Sequence, residues 1–312
     1  MKKLLLGIIC CAVLFCCPAR AQQPMQYSID LSAFSAMDLS GPFQVSVVQG
    51  TQYRALITVL EPYREYVECY VNAGVMTLTL DEKRVPAEVK RQFRAKGTAD
   101  PVFSAIVYVP QALQEVSMSG KALLHDSDDI FDKEAVSFNL DGQAQVKSLS
   151  LATSVFKLDM EGKSVADFNV TCRESIVKAS QSAQLAIDEH TESSFYKVQG
   201  SAKLRMVSNC SHFEMAAKSN CVVHLSGRAE RATFDMGGTC EVDGTRFDVS
   251  DADVTMSSVC KLCVAASRKL KVNLNGGSTL HFAGDPVIEI DNIRSATMSH
   301  LYPTGAAAKA TL

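Results

Sequence analysis

Two sets of side chains that could carry chemistry recur in this sequence at intervals of 18 to 20 residues. Asp141 and Glu161 are carboxylic acids 20 positions apart, and two carboxyl groups about 5 Å apart serve retaining glycosidases. The second set consists of residue types that ligate Zn²⁺: His224, Asp243, Cys263 and His281. Residues this far apart in sequence can act together only if the fold brings them close, as it would if each interval formed one turn of a repeating structure.

Two further motifs could also carry chemistry. Cys260 and Cys263 spell a C-x-x-C motif, but on a strand one would face inward and the other outward, which disfavours a redox pair. Four aspartates that could bind Ca²⁺ crowd one short segment: Asp126, Asp128, Asp129 and Asp132. The segment has no glycine at the sixth loop position and no glutamate at the twelfth, so it is not an EF-hand. We interpret it as a charged loop.

An internal repeat governs the second two-thirds of the chain. Its pattern is apolar-x-apolar-x-small-x-small-x-apolar, and we name its second small residue the anchor. The anchors are 18 to 22 residues apart: Ala122, Ala144, Ser164, Ala183, Ala202, Cys221, Cys240, Cys260 and Ser278. Alternation with a period of two predicts strands. A fixed period near 20 residues predicts that each copy is one coil of a solenoid.

The repeat therefore predicts an all-β fold, a right-handed parallel β-helix of about nine coils. Each coil has 18–22 residues, and parallel pairing should place Leu204 beside Val223. The alternative is an antiparallel sandwich, but the gaps lack the Asn-Gly and Asp-Gly pairs that tight hairpins favour. We predict four segments: a signal peptide at 1–21, an N-terminal β-rich cap region at 22–110, the β-helix repeats at 111–284, and a C-terminal cap and tail at 285–312.

On this fold the two chemical sets become rows on a solvent-facing sheet. Asp141 and Glu161 lie on adjacent coils, but a flat sheet without tryptophan offers no cleft for a catalytic acid and little platform for a sugar. Adjacent coils are about 4.8 Å apart, so only two or three members of the ligand row could share one metal ion. We predict no catalytic residue, no metal site and no cofactor, and keep both rows as alternatives.

Three consecutive anchors are cysteines, which predicts a vertical ladder of buried thiols at Cys221, Cys240 and Cys260. Their Cα atoms would be about 4.8 Å apart, within the range of a disulfide. One bond, Cys221–Cys240 or Cys240–Cys260, is therefore the alternative. Alanine and serine fill the same row elsewhere without a cross-link, which favours reduced thiols. Cys172 and Cys210 should lie two coils apart, too far to bond.

Composition and the N-terminus indicate an exported globular protein. The 312 residues are 47% hydrophobic and 21% charged, and a formal charge of −3 argues against nucleic-acid binding. Two lysines precede an apolar run from Leu4 to Cys17, and Ala19-Arg20-Ala21 ends it. This is the order of a signal peptide cleaved after Ala21. No later apolar run approaches about 18 residues, so we expect no transmembrane segment in the mature chain.

Four segments carry a resemblance to a known family: GPFQVSVVQG, VMTLTL, IVYVPQALQEVSMSGKALL and LKVNLNGGSTLHFAGDP. They resemble the head GIN domain family, whose members are described as auto-transporter adhesins and are common in exported proteins of Bacteroides-type bacteria. The similarity covers roughly residues 30–300, although Gln181, Ser219 and Ser258 replace the usual corner glycine. The resemblance implies a β-helical, extracytoplasmic protein with no catalytic motif.

We therefore expect a non-enzymatic β-solenoid protein of the bacterial envelope or surface. It would be periplasmic, outer-membrane-associated or extracellular, and would present an adhesin-like face to a glycan or protein partner, since repeat arrays suit extended binding surfaces. Two alternatives stay open: a polysaccharide-active enzyme on the same scaffold, and a purely structural envelope component.

The leader generates a direct prediction. The mature protein should begin at Gln22, because a signal peptidase reads the small residues Ala19 and Ala21, and mass spectrometry of the exported protein reads that N-terminus. A diacylglyceryl group on Cys16 or Cys17 at the N-terminus would contradict the prediction and indicate a lipoprotein signal instead.

Overall fold

The structure, a computed structural model, describes residues 24–92, 101–128 and 130–301. Along most of it, the segments in which apolar and polar side chains alternate form strands. The strands coil into a β-solenoid of about 10 turns, which confirms the predicted all-β parallel fold. Leu204 pairs in parallel with Val223, as predicted. The predicted leader lies outside the described residues. No helix in the described part of the chain is long and apolar enough to cross a membrane.

The described part of the N-terminal region contains seven strands and two short helices. In chain order they are β1 (Pro24–Asp30), β2 (Ala36–Leu39), β3 (Gln44–Gln49), β4 (Arg54–Leu60), a 3₁₀-helix (Glu61–Tyr66), β5 (Val67–Asn72), β6 (Val75–Leu80), α1 (Ala87–Gln92) and β7 (Phe103–Val109).

The repeats follow in three groups of strands. The short strands are β8 (Glu115–Met118), β9 (Leu123–Ser127), β10 (Ala135–Leu140), β11 (Gln145–Ala152), β12 (Val155–Met160), β13 (Val165–Thr171), β14 (Glu174–Ala179), β15 (Gln184–His190) and β16 (Ser193–Val198). Four long strands come next, β17 (Lys203–Ala217), β18 (Val222–Met236), β19 (Glu241–Met256) and β20 (Lys261–Asn275). The last three are β21 (Thr279–Ala283), β22 (Val287–Arg294) and β23 (Thr297–His300).

Parallel pairing arranges these strands in two ladders. The first ladder runs through β2, β8, β10, β12, β14, β16, the C-terminal halves of β17 to β20, and β22. The second ladder runs through β3, β9, β11, β13, β15, the N-terminal halves of the same long strands, β21 and β23. Each long strand therefore passes from the second ladder into the first at a corner of its coil.

Two strands of the predicted cap region already belong to the ladders. β2 pairs in parallel with β8, and β3 with β9, so a first coil begins at Ala36, far upstream of the sequence repeat. Beyond it, β6 extends the first ladder and β7 the second, and β5, β4 and β1 add in antiparallel fashion. We propose that residues 22–110 act as the N-terminal cap, and the segment boundaries stay predictions.

Inward side chains fill the solenoid with apolar rows that run from coil to coil. The row six residues before the anchors is buried from Val116 through Phe138 to Val272. Phe138, Phe156 and Phe168 cluster with ring centroids 5.0–6.2 Å apart. Burying one large apolar side chain contributes about 1.5–3 kcal/mol, so these rows hold the coils in register.

The residue two before each anchor turns the corner with a positive φ. Gly238 has a φ of +83°, and Ser219 one coil earlier has +81°. A Cβ added to Gly238 would lie 2.5 Å from the carbonyl oxygen of Ser219, closer than any real Cβ contact. Along the later coils, glycines alternate with residues that carry a side chain: Gly162, Gln181, Gly200, Ser219, Gly238, Ser258 and Gly276. Each Cβ in this stretch therefore has a glycine on either side.

This alternation predicts a large loss of stability for one substitution and little change for another on the neighbouring coil. Gly238→Ala should lower the free energy of unfolding by more than about 2 kcal/mol, because the new Cβ meets backbone in a left-handed conformation. Ser219→Gly should change it by less than about 1 kcal/mol, because glycine adopts the same φ without strain. Urea denaturation followed by circular dichroism measures both. Equal effects of the two variants would contradict the stacked corner.

Candidate functional site

A groove of about 630 Å³ runs along the corner where the second ladder passes into the first. Its most prominent polar row comes from four consecutive coils. Strand pairing aligns His190 with Asn209, Asn209 with Arg228, and Arg228 with Asp248. Neighbouring strands are about 4.8 Å apart, so the row spans about 14 Å. Further polar side chains line the same groove: Thr191, Ser211, Glu230, Ser250 and Ser267.

The corner that forms this groove depends on Gly227. β18 runs without a break from one ladder to the other, and Gly227 has a φ of +110° within it. A Cβ added there would lie 2.1 Å from the carbonyl oxygen of Ser208 on the preceding coil. Only glycine permits this approach, and Arg228, the next residue, is exposed to solvent. The close stacking of two backbones thus positions the central cation of the groove.

The polar row offers both donors and acceptors at fixed spacing. Arg228 carries a planar guanidinium with five N–H donors, Asp248 accepts hydrogen bonds, and Asn209 does both. His190, Arg228 and Asp248 are exposed, so a ligand can reach them without displacing the core. None of the described residues that line the groove is Phe, Tyr or Trp. The groove is therefore suited to a hydroxyl-rich or charged ligand rather than to an apolar one.

A buried carboxylate lies on the inner side of the same strand region. The Oε1 atom of Glu189 accepts hydrogen bonds from Ser194 Oγ at 2.7 Å and from Ser208 Oγ at 2.8 Å. Burial, followed by the charge of Glu189, raises the pKa of the Tyr196 phenol well above its usual value. The sequence analysis missed this network. The sequence did contain a signal for it. Glu189 lies two residues after Ile187, so the alternation of a strand turns both side chains inward.

Asp141 and Glu161 lie on adjacent coils, at a shallow depression of about 280 Å³ that Asp38 and Asp159 also line. Both side chains are exposed, and Lys178 Nζ is 3.9 Å from Asp159 Oδ2. An exposed acidic surface lacks the water-excluding pocket that a glycosidase acid uses. That these residues are not catalytic stays a prediction.

The potential ligand row follows consecutive coils in the second ladder. His224 pairs with Asp243, Asp243 with Cys263, and Cys263 with His281. His224 Nδ1 is 3.9 Å from Asp243 Oδ2, whereas His281 Nδ1 is 2.6 Å from Ser299 Oγ. The structure brings no three or more of these ligand types close enough to hold one metal ion within the described ranges. The row stays an unsupported alternative.

The aspartate-rich loop has structural partners for two of its members. Asp128 Oδ2 accepts a hydrogen bond from the Gln49 amide at 2.8 Å, and Asp132 Oδ1 accepts one from the Glu134 amide at 2.7 Å. The backbone hydrogen bond from Glu134 lowers the pKa of the Asp132 carboxyl. Asp129 and the side chain of Asp126 lie outside the described residues. In the described part of the loop, the aspartates therefore accept hydrogen bonds from backbone amides and stabilise the local chain.

The cysteine anchors stack in the interior of the corner. Cys221, Cys240 and Cys260 are buried and unbonded, and the Sγ atoms of Cys221 and Cys240 are 2.9 Å apart. The hydrogen bond to Cys240, followed by burial, raises the pKa of the Cys221 thiol. Burial also raises the pKa of Cys172, to about 11. A high thiol pKa disfavours the reactive thiolate at Cys221 and Cys172. The hydrogen bond with Cys221 instead lowers the pKa of the Cys240 thiol, to about 7.

The chain belongs to a family of adhesin-like solenoids. The family model described as "Putative auto-transporter adhesin, head GIN domain" matches residues 33–193 and 170–286, most of the chain, which confirms the resemblance seen in the sequence. This description is that of a binding protein rather than an enzyme. No curated protein matches the chain.

Three solved structures that are similar to this chain come from Parabacteroides species. A "putative adhesin" from Parabacteroides merdae is 15% identical, with a TM-score of 0.49, over 90% of this chain and 98% of that one. A "putative lipid binding protein" from Parabacteroides distasonis is also 15% identical, with a TM-score of 0.45 and the same coverage. A second "putative adhesin" from that species is 12% identical, with a TM-score of 0.46, again over 90% and 98%.

The buried ladder predicts the thiol count of the protein. After denaturation without reductant, all seven cysteines of the described residues should react as free thiols, because none of them forms a disulfide in the structure. A thiol reagent with mass detection counts them. Two fewer would show one ladder disulfide, and a single free thiol would contradict the register itself.

Proposed function

We propose that the protein is an exported, non-enzymatic solenoid of the bacterial envelope or surface that binds a glycan through the polar groove. The observation that carries this proposal is the row of His190, Asn209, Arg228 and Asp248 along a groove of about 630 Å³. A protein partner is the other outcome that an adhesin-like role allows.

The chemistry of the groove favours a glycan. Sugar hydroxyls both donate and accept hydrogen bonds, as do Asn209 and His190, and Arg228 can hold a sugar carboxylate with two parallel N–H···O bonds. The rigid corner keeps the row in place before the ligand arrives, which lowers the entropy cost of binding. The row spacing of about 4.8 Å also repeats, so an extended chain could contact several coils.

The predicted leader supports export. Residues 1–21 have the basic start, apolar run and small cleavage residues of a signal peptide. The family's adhesin description fits a protein that acts outside the cytoplasm. Periplasmic, outer-membrane-associated and extracellular destinations are all compatible with this leader.

Substitutions in the groove test the proposal. On an array of bacterial and host glycans, the purified protein should bind a defined subset, and Arg228→Ala and Asp248→Ala should each weaken that binding at least about tenfold, since a charged hydrogen bond contributes about 1.5–3 kcal/mol. Isothermal titration calorimetry with the best glycan measures the dissociation constants.

The matched control is Arg91→Ala, which removes an exposed arginine from α1 in the N-terminal region. It should bind like the unmodified protein. Binding that survives both groove substitutions would contradict the groove as the site. Turnover of any glycan that Asp141→Asn or Glu161→Gln abolishes would instead support the enzyme alternative. If the protein bound no glycan and a pull-down captured a protein, the partner would be a protein rather than a glycan.

A further inference from the structure

The strands that end the solenoid differ between its N-terminal and C-terminal ends. At the N-terminal end, β6 and β7 extend the two ladders in parallel, and β5, β4 and β1 add antiparallel strands beyond them. At the other end, β22 closes the first ladder and pairs only with β20 among the described strands. Its second edge carries unpaired backbone N–H and C=O groups, which is the usual template for pairing with another strand.

β22 also leaves an interior layer uncovered. Strand pairing places Ile288, Ile290 and Ile293 on top of Leu270, Val272 and Leu274, respectively. The lower three are fully buried, whereas the isoleucines are 40%, 60% and 41% exposed. These inward positions continue the core, but nothing in the described residues covers them. An apolar core layer open to water at a strand edge marks an interaction surface.

We propose that a second copy of this chain covers this end, with β22 pairing in antiparallel fashion with β22 of the other copy across a twofold axis. In the proposed register Glu289 lies opposite Arg294 of the second copy, and Ile290 lies opposite its Ile293. The proposal concerns the end of the solenoid and does not depend on the glycan groove.

The inward and outward faces of β22 select this register. A bulge at Asp291 lets both Ile290 and Ile293 face inward, because the pairing with β20 shifts by one residue there. A twofold axis between Asp291 and Asn292 places the two bulges symmetrically about itself. Inward residues then meet inward residues, as antiparallel pairs require.

Charge favours the same register. Glu289 and Arg294 form two opposite-charge pairs across the axis, one on each side of it. If Glu289 lay on the axis, two glutamates would meet, and if Ile290 lay there, Glu289 would meet Asp291. Like charges directly opposite each other in a sheet are destabilising. The neighbouring contacts of Glu289 with Lys269 at 2.8 Å and of Asp291 with Lys271 at 2.9 Å lie on the β20 side.

Analytical ultracentrifugation of the purified protein over a concentration series tests the proposal. The unmodified protein should form a dimer. Ile290→Asp should abolish the dimer, and Glu289→Arg or Arg294→Glu alone should raise its dissociation constant at least about tenfold by opposing like charges. An equimolar mixture of the two charge variants should restore association, because each Arg then meets a Glu of the other variant.

The matched control is Val259→Asp, which adds a charge at an apolar side chain 65% exposed at the corner between β19 and β20, outside β22. It should dimerise like the unmodified protein, and circular dichroism should show all variants folded. A monomer at about 100 μM would overturn the proposal. So would a dimer that survives Ile290→Asp, a charge mixture that fails to associate, or a monomer whose β22 amides resist hydrogen exchange because its own chain covers them.

Discussion

The structure depends on the stacking of one corner of each coil on the corner of the coil before it. There the amide that follows an anchor donates to the carbonyl of the previous anchor, as from Glu241 to Cys221 and from Lys261 to Cys240, each at 2.9 Å. This bond repeats along the solenoid and holds the backbones so close that glycine must recur at the turn before the anchor. Once the corners are in register, the inward apolar rows and the outward polar rows follow.

The same stacking lies beneath the polar groove and beside a buried carboxylate. Gly227 lets β18 approach Ser208 closely, and the hydroxyl of Ser208 in turn donates a hydrogen bond to Oε1 of Glu189. A buried carboxylate costs stability unless it is hydrogen-bonded, and two serine hydroxyls on different strands reduce that cost here. The inner and outer faces of this corner therefore share Ser208, whose hydroxyl contacts Glu189 and whose carbonyl faces Gly227.

Most of the repeat could be predicted from the sequence, because period-two alternation and a 20-residue period are local signals. The first coil could not. Its corner position is Phe43, whose carbonyl accepts the Leu123 amide at 2.8 Å, yet Phe43 is large and lies 79 residues before Ala122. This spacing is far longer than the 18 to 22 residues of the other coils, so it hides the period. The groove could not be predicted either. Its polar row lies outside the repeated pattern, and the bend that forms it depends on one glycine, Gly227, within a long strand.

The central claim is that residues one coil apart are parallel neighbours. Interstrand nuclear Overhauser effects between backbone amide protons in the deuterated protein test it most directly. The account predicts an unbroken series linking Leu204 to Val223, Val223 to Val242 and Val242 to Leu262. Effects that instead join neighbouring segments in antiparallel order through hairpins, with no contact between Val223 and its partners on the adjacent coils, would contradict it.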